Sequence, residues 1–305
     1  MKKTILLFLF QLSLILSFAQ HNIEAISNQH FEIPEIKKGD NIVRHHGYTL
    51  LYNEQHEEAS WVAYLLTAAE TQRRFARTNK FISDPNVSTG SADDEDYKGS
   101  GFDRGHLAPA ADMGWSEITM AESFYYSNMS PQLPAFNRGI WKKLEELVRD
   151  WAVENDSLYI VTGPVLYNGL TTIGHNRVSV PDYFYKVILD YHQPNLKGIG
   201  FVLSNAASNQ PLMHFAVTID SVEHLTGINF FPLVPDNQEK VIEKNCCIEC
   251  WTWDSKSNNI NKTERIQSAV SVQCKGITKA GNRCRNQTKN PSGYCFHHED
   301  QSKSN

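Results

Sequence analysis

Two runs of aromatic and β-branched residues, Tyr48-Thr49-Leu50-Leu51-Tyr52 and Trp61-Val62-Ala63-Tyr64-Leu65-Leu66, flank the polar stretch Asn53 to Glu58. That spacing predicts a strand pair. Shorter apolar runs at Leu158 to Val161, Tyr183 to Leu189, Gly200 to Leu203 and His214 to Ile219, bounded by Gly, Pro and Asn, predict further buried strands. The helical period is clearest from Asn137 to Trp151: Ile140, Trp141, Leu144, Leu147, Val148 and Trp151 fall in a stripe about 120° wide, which assigns that face to the core. Ser221 to Leu225 reads as a helix start capped by Ser221, with His224 where a capping-box carboxylate would sit. Asp84 to Gly101 is rich in Pro, Asn, Ser, Gly and Asp and predicts a loop, its acidic run Asp93 to Asp96 a solvated turn. From residue 43 to 245 strands and helices thus alternate irregularly, the pattern of an α+β domain.

Composition adds compartment and boundaries. The 305 residues, 41% hydrophobic and 21% charged, exclude a disordered, collagen-like or multi-spanning membrane protein. Lys2 and Lys3, the apolar run Ile5 to Phe18 and the small-x-small triplet Ser17-Phe18-Ala19 form a secretory signal over residues 1–19, with the mature chain starting at Gln20 and the protein secreted or periplasmic. The run is shorter than the roughly 20 residues that span a bilayer, so no stable membrane association is expected. Residues 20–42 are polar and predict a loose arm. The formal charge of −5 does not announce a nucleic-acid binder, so any such function must rest on a local patch. All six cysteines lie after Lys244, and residues 271–305 carry six Lys or Arg against two acids. The expected organisation is therefore a main domain over 43–245, a cysteine-containing linker over 246–270 and a small module over 271–300.

The candidate chemistry begins with Gly99-Ser100-Gly101-Phe102-Asp103-Arg104-Gly105-His106, which sets one His close to one Arg in a glycine-rich segment where backbone can approach a ligand. A lone His in such a place is more often a surface or core residue than a catalyst. Downstream, Asn128-Met129-Ser130-Pro131-Gln132 leads into Asn137-Arg138-Gly139-Ile140-Trp141 and then Leu144-Glu145. Asp-Arg-Gly-His, Asn-x-x-Pro-Gln and Asn-x-Gly-x-Trp-x-x-Leu-Glu, in this order and at short spacing, resemble the DNA/RNA non-specific endonuclease family. The likeness spans about residues 43–245, through Trp61-Val62-Ala63-Tyr64 and Thr226-Gly227-Ile228-Asn229-Phe230-Phe231-Pro232, and leaves out the cysteine-rich tail.

The resemblance implies a ββα-metal (His-Me finger) nuclease fold and hydrolysis of DNA and RNA that leaves 5′-phosphate ends. It makes His106 the general base, which suits an imidazole of unperturbed pKa about 6.5. It makes Asn137 the protein ligand of Mg2+ or Mn2+, a hard neutral oxygen for an ion that keeps several waters. Glu145 lies two turns later and leans back toward that ion's water shell; its competing reading is an i, i+4 surface pair with Arg149. Arg104 is assigned to phosphate, with an ion pair to Asp103 as its alternative. Asn128 and Arg149 are expected near substrate, Asn128 being equally compatible with turn chemistry and Arg149 lying further round the helix toward solvent. Arg73, Arg74 and Arg77 all lie where the family places another phosphate-binding arginine.

In the tail, Cys274, Cys284, Cys295 and His298 follow a Cys-x9-Cys-x10-Cys-x2-His pattern that suits a closed structural Zn2+ site, with His297 as an alternative ligand and disulfides as the competing outcome. This stretch also resembles a small cysteine-histidine domain found appended to other proteins. Cys246, Cys247 and Cys250 are open to redox, metal or disulfide chemistry. The expected partners are DNA and RNA, and a homodimer is compatible with the sequence. Two other functions compete: a non-catalytic binder of extracellular nucleic acid, and a nuclease toxin.

Overall fold

The computed structural model describes residues 30–192 and 196–253 and, in the tail, 272–277, 283–284, 287–288 and 301. The chain forms two compact units, the first ending at Trp253 and the second starting at Asp254. In the first unit β1 (Asn41–Arg44), β2 (Thr49–Asn53) and β3 (Glu58–Thr67) form an antiparallel meander. Then follow α1 (Asp94–Tyr97), β4 (Asp103–His106), α2 (Glu117–Glu122) and β5 (Met129–Gln132). A wide π-helical turn at Phe136–Trp141 leads into α3 (Lys142–Glu154). The rest comprises β6 (Ser157–Pro164), the short pair β7 (Thr172–Ile173) and β8 (Val178–Ser179), β9 (Tyr183–Asp190), β10 (Lys197–Ser204), β11 (Ala216–Val217), α4 (Ile219–Thr226) and α5 (Asp236–Lys244). The main sheet is antiparallel, in the order β1-β2-β3-β6-β9-β10-β11. In the second unit β12 (Val272–Gln273) pairs with β13 (Gln287–Thr288). No helix among the described residues is long and apolar enough to cross a membrane.

The central strands read as continuous apolar runs because both faces of the sheet are covered. On one face Val62, Tyr64 and Leu66 of β3, Ile160 of β6 and Phe184 and Ile188 of β9 pack against Leu144, Leu147, Val148 and Trp151 of α3. The alternate residues Trp61, Ala63, Val161, Tyr185, Val187 and Leu189 pack on the other face against Ile219 and Val222 of α4 and Ile242 of α5. Period-2 alternation thus assigns α3 to one side and α4 and α5 to the other.

The expected helix and most expected strands form where the pattern puts them; four local expectations do not hold. The acidic run is not a solvated turn but α1: Asp93 caps it, while Asp96 is buried and accepts from the backbone and side-chain amides of Asn176, both at 2.9 Å. His214 to Ile219 is not one strand, because a single helical turn occupies Leu212–Phe215 and only Ala216–Val217 pair with β10. The cap of α4 is Thr218, whose side chain accepts from Ser221 N at 3.1 Å, so Ser221 already sits inside the helix. The arm expected over 20–42 is ordered through its described part: Phe31 is buried between Tyr159 and Tyr191, with ring centroids at 5.5 and 4.7 Å.

The segment after α5 also belongs to the first unit. Trp251 and Trp253 enclose Trp151 of α3 at centroid distances of 4.4 and 5.4 Å, and Trp151 Nε1 donates to Thr252 O at 2.5 Å. Both tryptophans therefore act in packing. Cys247 and Cys250 form a disulfide beside them.

Candidate active site

β4 and β5 pair antiparallel, with Asp103 opposite Gln132 and His106 opposite Met129. Gly105 sits where the strand faces Gln132, and a Cβ there would run into that side chain, so the hairpin closes only on glycine. Beyond His106 the chain is fastened by Asn128. Its Oδ1 accepts from Ala108 N at 2.8 Å, and its Nδ2 donates to Ala108 O and Ser123 O at 2.9 and 2.8 Å. The side chain is fully buried and occupied by backbone, so the expected substrate contact is corrected: Asn128 positions the segment that carries the histidine.

His106 lies between aromatic rings, with Phe124 edge-on at 4.9 Å and Phe81 at 5.9 Å. It is 8% exposed, and among the described residues its Nε2 has no hydrogen-bond partner. Burial, and secondly the positive charge of Arg77, push its pKa down to about 3. Burial thereby favours the neutral form, whose lone pair can accept a proton, at the expense of basicity.

The π-helical turn presents Asn137 at the entry to α3. Gly139 has non-helical φ/ψ within that turn, which breaks the regular helix expected from Asn137 onward. Asn137 Nδ2 donates to Asp103 Oδ2 at 2.9 Å, so Asp103 orients the amide and leaves its Oδ1, an oxygen able to ligate a cation, outside that bond. Arg138 grips the same carboxylate, through Nε at 2.8 Å and Nη2 at 2.5 Å. Asp103 therefore pairs with residues 34 and 35 positions downstream, not with its neighbour Arg104.

Arg104 turns the other way. Its Nε donates to the Tyr126 hydroxyl at 3.0 Å, and Nη2 forms an ion pair with Asp94, a partner supplied by the unexpected helix α1. Its guanidinium also lies 5.1 Å from the centre of the Phe81 ring. Burial opposes the charge, but Tyr126 and Asp94 outweigh it and hold the group firmly cationic.

These elements enclose a cleft of about 560 Å³ whose lining includes Arg104, His106, Asn137, Glu145 and Arg149. Arg73, Arg77, Arg138 and Lys142 add positive charge, and Glu146 faces them; Arg74 is not among the lining residues. Burial raises the Glu145 carboxyl to about 7, against the pull of Arg149 and Lys186. Arg149 does not turn to solvent as the wheel predicts: its side chain is 18% exposed and its Nη1 contacts Asp112 Oδ1 at 2.7 Å. Asp112 also accepts from the Tyr64 hydroxyl at 2.9 Å. Behind them Lys186 of β9 is buried with its Nζ 5.1 Å from the Trp141 ring.

The donor set suits a hard cation. Asn137 offers a neutral amide oxygen whose orientation is fixed, and Glu145 adds a carboxylate on the same wall, with neither nitrogen nor sulfur required.

The family model for the DNA/RNA non-specific endonuclease matches residues 27–237. The chain belongs to the DNA/RNA non-specific endonuclease family. It is 39% identical over 201 residues to nuclease C1 of Cunninghamella echinulata var. echinulata, covering 60% of this chain and 80% of that protein. It is 36% identical over 200 residues to mitochondrial endonuclease G of Bos taurus, covering 61% and 67%. It is 32% identical over 261 residues to the mitochondrial nuclease EXOG of Danio rerio, covering 79% and 75%. A chain from the crystal structure of the EndoG/EndoGI complex superimposes with a TM-score of 0.63 at 31% identity, covering 68% of this chain and 91% of that one. The β4–β5–α3 unit inside an α+β frame is the ββα-metal fold that the resemblance implies, and the chain is a hydrolase of the nuclease class.

In this nuclease the sequence motifs leave Asp94, Asp103, Asp112 and Tyr126 without a role, although each bonds a cleft residue, and they leave Lys186, buried behind the cleft, without one as well. Lys186 leaves a trace in the sequence as the one charge inside the apolar run Tyr183 to Leu189. In the tail Cys274 and Cys284 are buried in one small cluster, and Gly276 N donates to Cys274 Sγ at 3.3 Å. Cys295 and His298, the other expected zinc ligands, and His297 lie outside the described residues.

Proposed function

We propose that this chain is an exported, Mg2+- or Mn2+-dependent endonuclease that cuts DNA and RNA without regard to sugar or sequence and leaves 5′-phosphate ends. The observation that carries the reading is that His106 and Asn137 line one cationic cleft, the histidine held neutral and the amide oriented. His106 takes a proton from the attacking water. Arg104, Arg73 and Arg77 bind and orient the phosphodiester through guanidinium forks that match its oxygens. A divalent cation at Asn137 would stabilise the developing negative charge on phosphate and on the departing 3′ oxygen. Glu145, flanked by Arg149, would hold the water shell of such an ion, and Arg149 acts through Asp112 and Glu145 instead of reaching for substrate. Contacts confined to phosphate and sugar carry no direct sequence information, which supports the broad specificity.

Export is supported by residues 1–19. Several relatives are named mitochondrial, but a mitochondrial presequence is amphipathic and Arg-rich, whereas this leader is apolar behind two lysines. A structural Zn2+ in the tail is supported by the buried pair Cys274 and Cys284 and by the N–H bond to Cys274 Sγ, with Cys295 and His298 completing the set.

Digestion of supercoiled plasmid and of RNA in MgCl2, in MnCl2 and in chelator, followed by end labelling, tests the reading. The expected products accept label from a kinase only after phosphatase treatment, and chelator stops their formation. Products that take label directly, or digestion that persists in chelator, would overturn it.

A further inference from the structure

On the face of the sheet opposite α3, helices α4 and α5 pack beside each other over β10. Asp220 and Glu223 are three residues apart on α4 and share one of its faces. Glu243 projects from the last turn of α5. One carboxylate oxygen from each of the three lies within 4.8 Å of the others. Clustered acids on a surface are ordinary, but Glu243 is not on the surface. It is 8% exposed, and its Oε1 is buried with no hydrogen-bond partner among the described residues. A buried carboxylate beside two more carboxylates is disfavoured unless it keeps a proton or a cation joins the three. Glu223 is already held in place, since its Oε1 accepts from Phe230 N at 2.8 Å.

We propose that Asp220, Glu223 and Glu243 hold one divalent cation, Ca2+ by preference, at a site separate from the catalytic cleft. The donors are all hard oxygens, which selects against Zn2+ and Cu2+. The three oxygens lie close enough for one ion to contact all of them, and the flexible Ca2+ shell tolerates an irregular set completed by water. Mg2+, which gives up its waters reluctantly and demands near-ideal octahedral geometry, suits a set of three protein carboxylates less well. Electrostatics agree with the geometry. Burial first, then Glu223, Glu239 and Asp220, raise the Glu243 carboxyl to about 8, while His224 and Lys240 offset the charge of Glu223 and Glu239. A cation here would clamp α4 to α5 and so act on stability, leaving the chemistry across the sheet untouched.

The test is thermal unfolding of the full chain after EDTA treatment, in CaCl2, in MgCl2 and in neither, on an Asn137→Ala background that removes the cleft's own ion. Millimolar CaCl2 is expected to raise the midpoint by roughly 3 °C or more, with MgCl2 doing less. Glu243→Gln should abolish the CaCl2 shift and, placed in the otherwise natural chain, leave Mg2+-supported nuclease activity unchanged. Asp220→Asn, at a less buried position, is the second variant should Glu243→Gln fail to fold, and it should shrink the shift at least several-fold. A midpoint indifferent to CaCl2, or an equal shift in the two acidic-site variants, overturns the proposal.

Discussion

At the residue scale, the environment of His106 sets its charge state. An imidazole among Phe81, Phe124 and the Arg77 charge is neutral when folded and free to charge when unfolded. Its folded pKa lies below the unfolded value of about 6.5, so the unfolded state binds the extra proton and stability falls as pH drops through the interval between 6.5 and about 3. Between pH 6.5 and 5 this group alone should account for about 2 kcal/mol, and urea unfolding of wild type and His106→Asn should show the variant losing less over that interval. Asp103 supplies a second prediction at this scale. Because it orients the Asn137 amide, Asp103→Ala should raise the Mg2+ concentration for half-maximal cleavage about 10- to 100-fold, as loss of a group supporting a metal ligand typically does. A metal titration of initial rate measures it, and an unchanged half-saturation point contradicts it. The Asp-Arg-Gly-His motif was visible in the sequence. That its aspartate reaches Asn137 and Arg138, while its arginine reaches Asp94, was not, because those partners are set by pairing across the hairpin and by α1.

At the element scale, the hairpin and helix are held by buried polar bonds that no periodicity reveals. The core stripe of α3 and the central strands follow from apolar spacing, because a 3.6-residue or 2-residue repeat shows in the chain itself. The π-helical turn at Phe136–Trp141 and helix α1 do not, since Gly139 and the buried Asp96 depend on tertiary neighbours. Asn128 is the clearest case: as a residue before Ser-Pro it suits a turn, yet in the fold it bonds to residues 108 and 123. Asn128→Ala would leave Ala108 N, Ala108 O and Ser123 O without their partner, a cost of about 2–4 kcal/mol. Chemical denaturation should show that loss. Activity lost at full stability would instead point to a substrate contact.

At the scale of the whole molecule, a chain of formal charge −5 must hold a polyanion through a local cleft. Its lining sets Arg73, Arg77, Arg104, Arg138, Lys142 and Arg149 against Glu145 and Glu146. Binding to DNA should therefore weaken steeply with salt and with little dependence on sequence. Fluorescence anisotropy of His106→Asn on two unrelated duplexes should give parallel plots of log affinity against log salt, and a strong preference for one duplex would contradict this. The division expected after residue 245 rests on where the cysteines fall, whereas in the fold Trp251 and Trp253 pack on Trp151 and carry the first unit, with Cys246, Cys247 and Cys250, through to Trp253.

The most direct test of the account is single-turnover cleavage of plasmid DNA in saturating Mg2+ by wild type and by His106→Asn, the variant first shown to be folded and to bind DNA as wild type does. A buried neutral imidazole acting as the base predicts a rate lower by a factor of about 10² to 10⁴ at unchanged affinity. Cleavage by the variant at the wild-type rate would contradict it.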